Sequence, residues 1–209
     1  GEIVIINAQS GEIMTIVGRS TVDVFQPGTM LHPFVYLSGF INADPNYTPA
    51  SMLLDIPMDF PGAADGLLYI PNNPDEIFRG PLSLRDAMGA NLLPPVTQVA
   101  NVLNLNDVIR NIIHLMGVNG LNEGIYDLSL LEHGGRVSVL DMTYAYSVFS
   151  SLGDVNGFPV EANSPGFRTH DPVAVKRIED ANGNLIWAYD EQQILLGRIN
   201  ILQAEAAYL

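Results

Sequence analysis

Residues 2–18, EIVIINAQSGEIMTIVG, alternate apolar positions, turn at Gln9-Ser10-Gly11 and resume with Ile13, Met14, Ile16 and Val17. That is the pattern of a β-hairpin. Residues 173–189, VAVKRIEDANGNLIWAY, repeat it around Asn182-Gly183, a pair suited to a tight hairpin turn. Between the two hairpins the apolar spacing changes to that of helices, in PLSLRDAMGANLL, in NLNDVIRNIIHLMG and most clearly in VSVLDMTYAYSVFSSLG. In the last of these, Ser138 is placed to cap the helix and Gly153 to end it. A chain with both periods must combine antiparallel strands with packed helices, an α/β (α+β) class.

Proline, glycine, asparagine and aspartate crowd residues 42–82, as in NADPNYTP, DIPMDFPG and PNNPDE. This punctuation predicts a long irregular excursion rather than packed helices, and a connection of that length is usually functional or draped over a site. Ahead of it, Gly28-Thr29 opens a helical run with Leu31, Phe34, Val35 and Leu37 on one side; Thr29 suits an N-cap and Pro33 the first turn. The final ILQAEAAYL has the character of a helix's opening turns.

Composition excludes several functions. The 209 residues contain no cysteine, so neither disulfides nor thiolate metal sites arise. Nine basic residues stand against 23 acidic ones, a net charge of −14 that repels a phosphate backbone and an anionic membrane surface. No apolar run is long enough to span a bilayer, and the chain as given reads as soluble, with any leader or anchor outside it. His114, His133 and His170 show no HxxxH or HExxH spacing, and the acidic residues from Asp44 to Glu76 lack the rhythm of a calcium loop. Neither a metal nor a cofactor is expected.

Four blocks carry a more specific signal. Ser10-Gly11-Glu12-Ile13 stands at the first turn, PGTMLHPFVY at 27–36, GPLSLRDAMGANLLPPV at 80–96 and HGGRVSVLDMTYAYSVFSSLG at 133–153. In this order they resemble the transpeptidase domain of penicillin-binding proteins, in particular the bifunctional kind that builds peptidoglycan. The resemblance implies a penicillin-binding fold, helices packed around an antiparallel sheet, with residues 28–41 as the nucleophile-type helix. It implies a partial domain over 1–209, with hairpin 1–18, excursion 42–82, helical part 83–153 and hairpin 173–189, the later strands of the sheet being missing. It also implies a site outside the cytoplasmic membrane and partners in cell-wall assembly, either a peptidoglycan peptide or a synthesis protein. With the later strands missing, the open edge of hairpin 1–18 is expected to pair with another chain or another copy.

The family's chemistry requires a serine hydroxyl at the helix start and a lysine amine one turn later, because those positions share a face and the amine takes the hydroxyl's proton. Here the two positions are Thr29 and His32, and the only lysine, Lys176, lies in the second hairpin. The second motif, Ser-x-Asn, falls on Asn91-Leu92-Leu93, which sets Leu93 where an asparagine would bind substrate; the third, Lys-Thr/Ser-Gly, does not occur in these residues. Degenerate motifs on a retained framework imply a catalytically silent binding or scaffold module. The alternatives are an acyltransferase or D,D-peptidase using Thr29 and His32, and a fragment of a bifunctional synthase whose activity lies in another domain. Each site residue also has a plain structural reading: Thr29 as a helix cap, His32 as a hydrogen-bonded relic, and Asn91 as a helix-end residue satisfying local backbone.

Overall fold

A computed structural model describes residues 1–19, 23–42, 44–64, 66–161, 166–190, 198–203 and 206. They fall into two compact units, one of residues 1–24, 114–119 and 138 onward, the other of residues 25–113 and 120–137. The predicted helix in ILQAEAAYL rests largely on residues outside those described.

In the first unit, strands Ile3–Ile6 and Ile13–Val17 pair antiparallel. Gly11 makes the turn with φ +72°, its N–H donating to Asn7 O at 2.8 Å, and a Cβ there would lie 2.3 Å from Asn156 O. Only glycine combines that backbone angle with so close an approach. The head of the second strand does not lack a neighbour: Ile13 N–H donates to Val173 O and Val173 N–H to Gly11 O, a parallel bridge made by the chain itself. Among the described residues no further strand joins Ile3–Ile6, and Ile3 and Ile5 are 53% and 52% exposed.

Helix Val139–Ser150 packs against the Ile3–Ile6 strand. Ser138 caps it by accepting from Asp141 N–H at 3.0 Å, and Gly153, at φ +98°, closes its end by donating to Val148 O. Arg168, 8% exposed, joins three segments of this unit. Its Nη1 donates to Asp141 Oδ1 at 2.8 Å and to the Gly117 carbonyl, its Nε donates to Asp171 Oδ1 at 2.7 Å, and the guanidinium lies 5.2 Å from the Tyr144 ring. A guanidinium taken out of water is tolerable because Nε, both Nη1 protons and one face are engaged. The second hairpin pairs Arg177–Glu179 with Leu185–Ala188, its turn drawn in by Asp180, which accepts from the N–H groups of Asn182 and Asn184.

The second unit is built around helix His32–Ile41, which follows a 3₁₀ turn over Gly28–Leu31. The sequence predicts one apolar side for this helix, yet Phe34, Val35, Tyr36 and Leu37 are all fully buried in succession. A helix apolar all round belongs at the centre of its unit rather than on its surface. Helix Leu93–Leu103 packs on it and starts with Pro94 and Pro95, where the missing N–H groups cost nothing. The predicted helix over 104–117 is not uniform: α-helix Leu105–Val108 passes into a π-helical segment, Ile109–Ile113, and then α-helix His114–Met116.

The excursion is more ordered than its punctuation suggests. It contains two antiparallel pairs, Met52–Asp55 with Gly80–Ser83 and Phe60–Pro61 with Leu68–Tyr69. A buried polar cluster fixes it in place. Asp55, fully buried, accepts from Asn73 Nδ2 at 2.7 Å and from Arg79 N–H at 2.9 Å, while Asn73 Oδ1 accepts from Leu93 N–H at 3.1 Å and Asn73 Nδ2 also donates to Ile77 O. Gln98 adds a second tie: its amide donates to Leu54 O and accepts from Leu54 N–H.

Replacing Asn73 by alanine strands Asp55 Oδ1 and the Leu93 N–H together, while Asp55 Oδ2 and the Ile77 carbonyl keep Arg79. Urea denaturation should therefore show Asn73→Ala losing about 2–4 kcal/mol. Asn101→Ala, on an exposed face of the same unit, should stay within about 0.5 kcal/mol of the parent. Equal effects would show that the cluster does not hold the excursion.

Candidate functional site

The segment PGTMLHPF lies wholly in the second unit, together with Asn91 and Leu93. Thr29 sits in the Gly28–Leu31 turn, and its side chain is exposed. It does not cap the helix: Pro27 and Leu31 occupy the cap positions of the turn and the helix, with no side-chain cap bond at either. The cap expected of Thr29 fails because the extra 3₁₀ turn places its hydroxyl one turn too early to reach the first free amides of the helix.

His32 opens the helix and is 3% exposed. Its Nε2 lies 2.9 Å from Leu131 O, and since a carbonyl only accepts, Nε2 carries the proton. Nδ1 is left as a buried lone pair with no hydrogen-bond partner. Burial lowers the pKa of the ring, outweighing the Leu131 carbonyl and the Asn91 side chain, which favour the charged form. The Asn91 side chain thus faces the imidazole without making a hydrogen bond to Nδ1. Tyr36, one turn further along the same helix, likewise has a buried hydroxyl with no partner, and its ionisation is pushed far up by burial.

Leu131 reaches His32 because the 3₁₀ turn Leu128–Leu131 lies against the Gly28–Leu31 turn. Gly28, at φ +48°, permits this approach: a Cβ there would lie 2.7 Å from Glu132 O. The Glu132 carboxylate accepts from Tyr69 Oη at 3.2 Å and lies 3.6 Å from His133 Nδ1, so it orients those two groups and not His32. Nothing in the sequence pattern links residues 32 and 131; only the fold brings a carbonyl there.

Asn91 follows helix Leu84–Gly89 in the left-handed region, φ +52°, with its N–H donating to Met88 O, as a helix-end asparagine does. Leu93 is 4% exposed and begins the next helix, so it belongs to the core. The structure therefore brings His32 and Asn91 together. It leaves Thr29 on the surface, joined to the ring by no hydrogen bond. A general base takes a proton on its free lone pair within hydrogen-bond reach, and the lone pair here, on Nδ1, is buried and makes no hydrogen bond to the Thr29 hydroxyl. Among the described residues no group of three or more histidines and carboxylates is placed to hold a metal ion, and His114 is stacked on Phe167 at 4.1 Å.

Comparison with solved structures places this architecture. The penicillin-binding protein PonA1 of Mycobacterium tuberculosis superposes with a TM-score of 0.76 at 14% identity, over 99% of this chain and 53% of that one. Penicillin-binding protein 1A of Haemophilus influenzae gives 0.70 at 19% identity, over 90% of this chain and 27% of that one. This chain has the penicillin-binding transpeptidase fold. No family model matches it. In sequence it is similar to penicillin-binding protein 1A of Escherichia coli, 28% identical over 88% of this chain, and to penicillin-binding protein 1C of the same organism, 31% identical over 66% of it. The chain spans 21% and 17% of those two proteins. The resemblance read from the four motif blocks holds, and with it the mixed α/β class.

The buried imidazole has a consequence for stability. Its pKa in the folded chain lies below the ordinary 6.5, so the unfolded chain binds the proton more readily. Above that value the ring is neutral in both states; as pH falls below it, folding must exclude a proton and stability drops. The urea midpoint should therefore fall more steeply between pH 7 and pH 5 in the parent than in His32→Gln, whose amide can still donate to Leu131. Parallel pH profiles would show that the ring is not held neutral by burial.

Proposed function

We propose that this chain is a transpeptidase-like domain that carries out no D,D-peptidase or transpeptidase chemistry and acts as a binding or scaffold module in peptidoglycan assembly, outside the cytoplasmic membrane. The single observation that carries this reading is the state of His32. In the position where the family's chemistry needs a lysine amine beside the hydroxyl, the chain has a buried ring fixed through Nε2 to Leu131 O, whose basic nitrogen, Nδ1, makes no hydrogen bond, while Thr29 is exposed and is not joined to it. Losing proton abstraction removes the activated nucleophile on which the acyl transfer depends. The link to the wall rests on the named relatives, penicillin-binding proteins 1A and 1C, and on the fold shared with a PonA1 structure that holds penicillin V. No helix among the described residues is long and apolar enough to cross a membrane.

Because the chain matches only a fraction of those relatives, its role within a longer polypeptide belongs to the same reading: it would present a surface while another domain supplies activity. The partner surface we favour is the free edge of Ile3–Ile6, flanked by exposed Ile3 and Ile5.

Incubation with a fluorescent penicillin followed by a denaturing gel should leave the chain unlabelled, with penicillin-binding protein 1A of Escherichia coli as the labelled control. A stable adduct on the parent that disappears in Thr29→Ala would overturn the silent-domain reading and establish Thr29 as the acylated residue.

A further inference from the structure

A second feature of the same unit is independent of Thr29 and His32. Where helix Leu93–Leu103 ends, a pocket of about 320 Å³ opens between that helix end, the Phe60–Pro61 strand and the segment around Tyr126. This is the lower end of the range for small-ligand sites. Its polar groups are unusual in kind. Asn101 makes no side-chain hydrogen bond among the described residues, and Asn104 uses its Oδ1 to accept from Asn106 N–H at 3.1 Å, which leaves its NH₂ group to donate elsewhere. Asp127 spends Oδ1 on Ser129 N–H at 2.8 Å and keeps its second oxygen.

Tyr126 supplies aromatic surface and is firmly set. The Asn106 amide donates to Tyr126 O at 2.8 Å and accepts from Tyr126 N–H at 2.9 Å, copying the bonds of a paired strand. Asn106 is thus a positioning residue, and the free amides of Asn101 and Asn104 are the groups left to meet a ligand. The lining contains no lysine, arginine or histidine, so no group there neutralises a phosphate or carboxylate, and the net charge of −14 repels anions further.

We propose that this pocket is a binding site for neutral carbohydrate. A sugar hydroxyl both donates and accepts, and the pocket offers both complements: amide NH₂ groups as donors, and amide and carboxylate oxygens as acceptors, beside an aromatic ring and the apolar side chain of Leu105. No covalent step is involved.

The test is a titration of the whole 209-residue chain, isotope-labelled, with cellotriose and with chitotriose, following side-chain amide and backbone signals by NMR, with inorganic phosphate as the charged control. Saturable shifts at the Asn101 and Asn104 amides and at Tyr126 are expected with at least one saccharide and none with phosphate. Asn101→Ala, an exposed site that leaves folding intact, should weaken binding about fivefold or more, the loss of one hydrogen bond. Failure of both saccharides to shift these signals, equal binding by Asn101→Ala, or an equal response to phosphate would each overturn the assignment. The outcome does not depend on penicillin labelling, which reads only Thr29.

Discussion

A carboxylate with no exposed surface holds the second unit together. Asp55 lies in a short strand, and its two oxygens are met by the Asn73 amide and the Arg79 N–H, groups 18 and 24 residues further along. Asn73 in turn accepts from the first N–H of helix Leu93–Leu103. One asparagine thereby closes a loop of nearly forty residues, satisfies a buried charge and caps a helix that cannot cap itself, since Leu92 precedes it and prolines follow. Removing water from a carboxylate is tolerable only when such partners are in place, which makes the cluster all-or-none. Everything positioned by that helix depends on it: Asn91 beside His32, Leu93 in the core, and the polar pocket at the helix's far end.

The same logic applies at the start of helix His32–Ile41. A lysine at the place of His32 would carry an amine into a site that excludes water, and its charge would need either a partner or a depressed pKa. Histidine avoids the conflict. Neutral at ordinary pH, it makes one hydrogen bond to Leu131 O and closes the contact between two 3₁₀ turns. The unpaired Nδ1 and the Tyr36 hydroxyl are the remaining costs of this packing.

The elements legible in the sequence were those whose signals are local. Alternation with a glycine turn gave the first hairpin, Asn182-Gly183 the second, and Ser138 with Gly153 the ends of helix Val139–Ser150. The strands inside the excursion were not legible, because Phe60–Pro61 and Leu68–Tyr69 are two residues long and proline interrupts the alternation on which strand reading relies. The motif blocks single out His32 and Asn91 separately; that their side chains meet is visible only in the fold. Thr29 has the sequence signature of a cap and is not one, because a 3₁₀ turn and an α-helical turn begin with the same residues. Leu131 could not have been named at all: its contribution is a backbone carbonyl, ninety-nine residues from the ring it meets, and any residue type could supply it.

Polar side chains that copy backbone pairing recur in this unit, and they set which of its asparagines and glutamines are free. Gln98 spans the Leu54 amide and carbonyl, and Asn106 does the same for Tyr126. An amide used in this way is saturated and can only hold another residue in position. Asn101, on the same helix as Gln98 and close in sequence to Asn106, has no such duty. Composition cannot separate the two kinds, since all are uncharged amides in a polar stretch. The distinction appears only when each donor and acceptor is followed to its partner, and it leaves the pocket at the end of helix Leu93–Leu103 as the place where unspent hydrogen-bonding capacity gathers.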